Sequence, residues 1–131
     1  MANPQRPLSP HLQVYRWQVQ MVTSIIHRAT GIVLAFGALV IAWGLLALAG
    51  GRDSWTAFAH CLGSPLGMVA LFGWAWAFSY HLINGIRHLV QDAGYDYAIP
   101  QFVRNSWISI IGSLVMVALI FGCLFMKGGA A

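Results

Sequence analysis

Charge is what this sequence has least of. Of 131 residues, seven are basic and three acidic, so 8% carry a formal charge, where about 25% is usual for a soluble domain. Glutamate is absent; the acids are Asp53, Asp92 and Asp96, and the only lysine is Lys127. So few charges cannot coat a water-facing surface, which excludes a soluble enzyme, a nucleic-acid-binding module and a disordered tail. Cysteine is scarce as well. Cys61 and Cys123 have no metal-ligand spacing between them and read as apolar filler. No glycine fingerprint for a nucleotide is present. What the chain has in excess is apolar side chains, 59% of the total, with a mean hydropathy of +0.70. That is the composition of an integral membrane protein.

The few charges divide the chain. Residues 29–51 and 105–126 form uncharged runs of 23 and 22 residues, and a bilayer core of ~30 Å needs about 20 helical residues. A third run, residues 54–86, is too long for one upright helix, and Gly63, Ser64 and Pro65 divide it. Proline is favoured in a first helical turn, and Asn105 or Ser106 is a candidate N-cap for the last helix. The expectation is one all-α membrane domain over residues 1–131. Its parts are an N-terminal segment at 1–21, helices at 22–49, 65–91 and 104–127, an outer loop at 50–64, an inner loop at 92–103 and a tail at 128–131. Arg6, Arg16, Arg28, Arg87 and Arg104 fall on one side of these spans, Arg52 and Lys127 on the other. Basic residues are retained on the inner side, so the N-terminus is expected in the cytoplasm, or the matrix of a mitochondrion, and the C-terminus opposite. Tyr15, Trp17, Tyr95, Tyr97 and Trp107 would form the inner aromatic belt, with Trp55 and Phe58 outside.

Ionisable groups inside a membrane span are costly and are functional candidates by default. Here they are His27, Arg28, His81, Arg87 and His88, all toward the inner ends of the first two spans. At about 100° per residue, His88 lies only ~20° off the face of His81 and ~10.5 Å along the axis, with Gly85 on the same stripe and Arg87 pointing away. Such a stripe suits a flat ligand standing along the helix. Haem is one: a buried imidazole ligates its iron, Gly85 lets the ring approach, and a cation near the interface meets its propionates. On position alone, a transmembrane histidine is more often an interhelical hydrogen-bond donor. A haem reading also requires a second ligand from another chain, because His60 lies in the outer loop and His11 in the N-terminal segment. On the first helix, Ser24, His27, Arg28 and Gly31 share one strip. A hydroxyl, a cation and a small residue can hold a lipid-soluble quinone, although Arg28 can also simply snorkel and Ser24 bond back to its own helix. Gly31, Gly37 and Gly44 permit close helix contact in lipid. So few charges suggest a bundle that a partner chain completes.

Two blocks carry a family resemblance. Arg6-Pro7-Leu8-Ser9-Pro10-His11-Leu12, with Tyr15 and Ser24-Ile25-Ile26-His27-Arg28-Ala29-Thr30-Gly31, and then His81-Leu82-Ile83-Asn84-Gly85-Ile86-Arg87-His88-Leu89 with Asp92 and Gly94, resemble the cytochrome b membrane-anchor subunit of succinate dehydrogenase, respiratory Complex II. Many members carry a proline before the Ser24 block, where this chain reads Arg16-Trp17-Gln18-Val19-Gln20. The resemblance implies that His81 is an axial ligand of haem b, whose iron takes its other histidine from a second small membrane-anchor subunit. It implies Ser24 and Arg28 in a ubiquinone pocket, and His27, Arg28 and His88 near the haem propionates. It also implies an iron-sulfur subunit and a flavoprotein subunit that hold the clusters and the flavin, and a place in the cell or mitochondrial inner membrane. Electrons from succinate would reach quinone at the inner face, serving the tricarboxylic acid cycle and electron transport, with no dehydrogenase site in this chain. The alternatives are a haem-free structural anchor and a small transporter subunit. The latter is disfavoured because the three Asp all lie in or near loops.

Overall fold

The computed structural model describes residues 16–128; the Arg6–Tyr15 motif and His11 lie outside them. The described chain is four helices, α1 Val19–Ala49, α2 Arg52–Gly63, α3 Pro65–Asp92 and α4 Ile99–Gly128. Helices α1, α3 and α4 are long and apolar enough to cross a membrane. At 1.5 Å per residue they measure about 46, 42 and 45 Å, so each overshoots a hydrocarbon core of ~30 Å and ends among the headgroups.

The local chemistry sets most boundaries. Gly51 has a φ of 97°, a turn open mainly to glycine, and it separates α1 from α2. Ser64 caps α3: its Oγ accepts from the Gly67 N–H at 3.1 Å and donates to the Cys61 carbonyl at 2.7 Å, while Pro65 takes the first turn. At the other end of α3, Gly94 has a φ of 89°. The Gly94 and Tyr95 N–H groups return to the Gln91 and Val90 carbonyls at 2.8 and 3.2 Å, closing the helix with a left-handed turn.

Several expectations change. The connection at 50–64 is not a loop but contains α2, a 12-residue helix. It is too short and too polar to read as a span, and it is held by packing, with Phe58 buried against Gly44 and edge-on to Trp43 at 4.8 Å. Phe58 therefore turns inward rather than joining an outer belt, whereas Trp55 is exposed. The inner connection is shorter than 92–103, because α4 begins at Ile99 with Pro100 in its first turn, where a missing N–H is harmless. Asn105 and Ser106 consequently lie within α4 and do not cap it. Asn105 instead donates to Asp96 at 2.9 Å. Lastly, α1 starts at Val19, three residues before the expected 22.

The bundle buries its polar side chains and exposes its apolar ones. Thr23, Thr30, Gly37 and Gly44 recur every seven residues on α1 and are all buried. Ser106, Ser109, Ser113 and Val117 make the matching seam of α4, and Tyr80, Asn84, Arg87 and Gln91 that of α3. Leu39, Leu46, Leu66, Val69, Leu119 and Phe125 face outward. Small residues bring helices together in lipid, where burying leucine against leucine gains little over leaving it against acyl chains. The serine and threonine hydroxyls of the seams donate to carbonyls of their own helices, as with Ser79 to Ala75 at 2.8 Å and Ser109 to Asn105 at 3.1 Å. They can thus be buried without a lost hydrogen bond.

Gly37 is the tightest contact of α1 with α3, since any Cβ there overlaps the Trp74 indole. Gly37→Val is expected to destabilise the assembled protein by ~1–3 kcal/mol through overpacking, seen as a lower thermal midpoint. If that contact is the cause, Gly37→Val combined with Trp74→Ala loses less stability than the two single changes added together.

Candidate functional site

The inner ends of α1 and α3 bring three imidazoles together. The His27 and His81 rings stack, with centroids 3.9 Å apart and planes 12° from parallel. The His88 ring lies 5.1 Å from His27 on its other approach, tilted by 48°. Thus His27, from α1, sits between the two histidines that share a face of α3. Gly85 lies beside it, with room for a Cβ 4.0 Å from His27 Cε1.

His81 is held by one turn of α1. Its Nδ1 lies 3.1 Å from the His27 carbonyl oxygen and 3.2 Å from Thr30 Oγ1. A carbonyl can only accept, so Nδ1 carries the proton and Nε2 the lone pair. Gly31 completes the seat, because a Cβ there would stand 3.1 Å from His81 Cε1. This is the arrangement expected of a metal-bound histidine, whose second ring nitrogen donates to a backbone carbonyl that sets tautomer and orientation.

The donor set discriminates between kinds of metal. Among the described residues, no group of three or more His, Cys, Asp or Glu is placed to hold a bare ion. A single imidazole with a free Nε2 instead suits haem, which brings four donors of its own and needs one protein ligand on each face. His27 Nδ1 is buried with no partner among the described residues. It is an orphaned nitrogen beside the same cluster, able to bond a propionate. The residues present therefore fit the group.

Ser24 and Arg28 are placed differently. From the buried seam through Thr23 and Thr30, Ser24 is rotated by about 100–120° and Arg28 by about 140–160°. Arg28 is accordingly exposed and Ser24 half-buried. The strip of four residues therefore fans out: His27 turns toward α3 and Arg28 to the outside of this chain's bundle, with half-buried Ser24 and Gly31 between them.

Arg87 points away from the histidines, as its spacing implies, but it does not snorkel. It is 7% exposed. Its Nη1 donates to Ser106 of α4 at 2.8 Å and to Thr23 of α1 at 3.5 Å, and its guanidinium lies 4.9 Å over the Phe102 ring. Tyr80 adds a bond to the Thr23 carbonyl at 3.0 Å. Arg87 thus joins three helices, on a different face of α3 from the histidines but at the same height along it. Neither this node nor Thr30 stands out in a linear reading. The signal that finds them is the seven-residue recurrence of Thr23, Thr30, Gly37 and Gly44, which marks the face of α1 turned inward.

A cavity of about 760 Å³ between α1, α2 and α3 is lined by Phe36, Phe58, Trp74 and other apolar residues, with Thr30 its nearest approach to the histidines. With no titratable group in its lining, it offers room for hydrocarbon and no chemistry. His60 lies far along the chain on α2 and has no part in the cluster.

Comparison with known proteins identifies the family. Residues 2–121 match the family described as succinate dehydrogenase/fumarate reductase transmembrane subunit. Over 121 residues the chain is 40% identical to the mitochondrial succinate dehydrogenase cytochrome b560 subunit of Mus musculus, covering 91% of this chain and 69% of that protein. The corresponding protein of Sus scrofa is 41% identical over 108 residues, covering 81% of this chain and 64% of its own length. The succinate dehydrogenase cytochrome b556 subunit of Paracoccus denitrificans is 41% identical over 114 residues, covering 87% and 88%. With a family match along nearly its whole length and bacterial and mitochondrial relatives at this level of identity, the chain belongs to the succinate dehydrogenase/fumarate reductase transmembrane subunits, among the cytochrome b membrane subunits and not the dehydrogenase subunits.

Proposed function

We propose that this chain anchors a succinate dehydrogenase in the inner membrane, supplies one axial ligand of haem b through His81, and forms part of a ubiquinone site with Ser24 and Arg28. The observation that carries the haem assignment is the His81 ring, whose Nδ1 faces two oxygen atoms and whose Nε2 is left with its lone pair. Support for a site shared between chains comes from Arg28, a cation left exposed beside the histidine cluster.

His81 would hold the haem iron through Nε2, together with a histidine of the other small membrane anchor. When bound, haem supplies one-electron redox chemistry next to the quinone site. His27 and His88 would offer hydrogen bonds, and Arg28 positive charge, to its propionates. Quinone reduction takes two electrons and two protons, and negative charge grows on the carbonyl oxygens as the electrons arrive. Arg28 stabilises that charge electrostatically. It does not donate a proton, because guanidinium stays protonated. Ser24 donates a hydrogen bond to a quinone carbonyl and helps fix the ring. The electrons come from an iron-sulfur subunit and a flavoprotein subunit, which hold the clusters and the flavin that oxidises succinate. The N-terminus faces the cytoplasm or matrix, so the histidine cluster lies near the side on which those subunits dock.

In the assembled complex, His81→Ala is expected to remove or strongly alter the reduced b-type absorption band; an unchanged spectrum refutes the ligand assignment. A pyridine haemochrome assay on the wild-type complex separates this reading from that of a haem-free anchor. Arg28→Leu is expected to lower succinate-to-quinone activity while dye-coupled succinate oxidation persists. Equal loss of both activities would mean failed assembly and no specific quinone role.

A further inference from the structure

We infer that Thr30 is a positioning residue for His81: its hydroxyl oxygen is a second acceptor for the Nδ1 proton, and it tunes how strongly His81 donates to haem iron. The inference rests on the haem reading above and extends it to a residue that touches the ligand His81.

The geometry leaves the Thr30 hydroxyl a single arrangement. Thr30 is 3% exposed. Its Oγ1 donates to the His27 carbonyl at 2.9 Å, which uses the hydroxyl proton. Only lone pairs remain to face His81 Nδ1 at 3.2 Å. Nδ1 also faces the His27 carbonyl at 3.1 Å. The N–H of His81 is therefore shared between two oxygens, and the two oxygens are themselves linked by the threonine proton. A neighbouring hydroxyl that donated to Nδ1 would select the opposite tautomer and place the proton on the ligating nitrogen. The back-bond of Thr30 to its own helix prevents that.

The same turn of α1 limits movement of the ring. The His27 imidazole stacks on it at 3.9 Å, and glycine is the only residue type at position 31 that leaves His81 Cε1 undisturbed, since a Cβ at 3.1 Å is already tight. Residues 27, 30 and 31 thus act as one seat that fixes tautomer, tilt and hydrogen bonding together. A ligand imidazole whose N–H is bonded to acceptors is more basic. Greater basicity favours oxidised over reduced iron, because the added electron density offsets the extra positive charge. Losing one of two acceptors shifts the balance toward reduced iron without taking the ligand away.

The test uses the complete complex carrying Thr30→Val, which keeps the side-chain shape and deletes the hydroxyl, beside Thr30→Ser, which keeps the hydroxyl and deletes the methyl. Haem content is read by pyridine haemochrome and the midpoint potential by potentiometry. The expected result is wild-type haem content in both variants, with the midpoint raised in the valine variant and unchanged in the serine variant. At the ambient potential where wild-type haem is half reduced, the valine variant would then be mostly reduced. Loss of haem from the valine variant alone would also support the inference. An unchanged midpoint in the valine variant overturns it. So does an equal shift or equal haem loss in both variants, which would assign Thr30 a packing role. Absence of haem from the wild-type complex, or its unaltered retention in His81→Ala, refutes the underlying haem reading and not the role of Thr30 in the seat.

Discussion

Inside a bilayer no water is available to pair a hydrogen-bonding group, and this constraint organises the whole chain. Polar side chains can enter the spans only where protein covers them. The result is an interior lined by Thr23, Thr30, Ser79, Asn84, Arg87, Ser106, Ser109 and Ser113, and an exterior of leucine, isoleucine, valine and phenylalanine. Short hydroxyl side chains fill this interior because they satisfy themselves on carbonyls three or four residues back, and then still offer lone pairs across the helix interface. Thr30 does both, toward His27 and toward His81.

The inner end of the bundle concentrates what is most costly to bury. Arg87 is enclosed by Ser106, Thr23 and the face of Phe102, and a buried guanidinium requires such partners to be tolerated at all. Its bonds run to both neighbouring helices, so the depth and rotation of α1, and with them the position of the His81 seat, are tied to the same node. The outer half of the bundle has no comparable polar clasp among the described residues. There, Gly37 and Gly44 let Trp74 and Phe58 close against the backbone of α1. One end is held by hydrogen bonds and the other by shape.

Helix α1 presents an inward and an outward face near its inner end. His27 and Gly31 contact α3 and belong to the histidine seat. Arg28, one residue on from His27, is turned about 100° away from it and is exposed. A fixed cation can remain at that surface only near headgroups, a ligand or another protein, which accords with membership of a family of transmembrane subunits.

Much was legible without coordinates. The spacing of ten charges determined the three spans, because the free energy of placing a charge in hydrocarbon is large enough to act residue by residue. Helical periodicity placed His81, Gly85 and His88 on one face and Arg87 on another, since angles within one helix follow from its pitch alone. Helix α2 was not legible: twelve residues of mixed polarity form a helix or a loop according to what they pack on, and the burial of Phe58 against Gly44 decides it. The early starts of α1 and α4 escaped for a related reason, because uncapped helices continue as far as tertiary contacts support them. The rotation of one helix against another was likewise beyond the sequence. Only the tertiary structure inserted His27 between His81 and His88, turned Arg87 into a three-helix clasp, and set Thr30 against the His81 ring. Each of these depends on contacts between segments far apart in the chain or on the relative roll of two helices, and neither is encoded in the pattern of any single span.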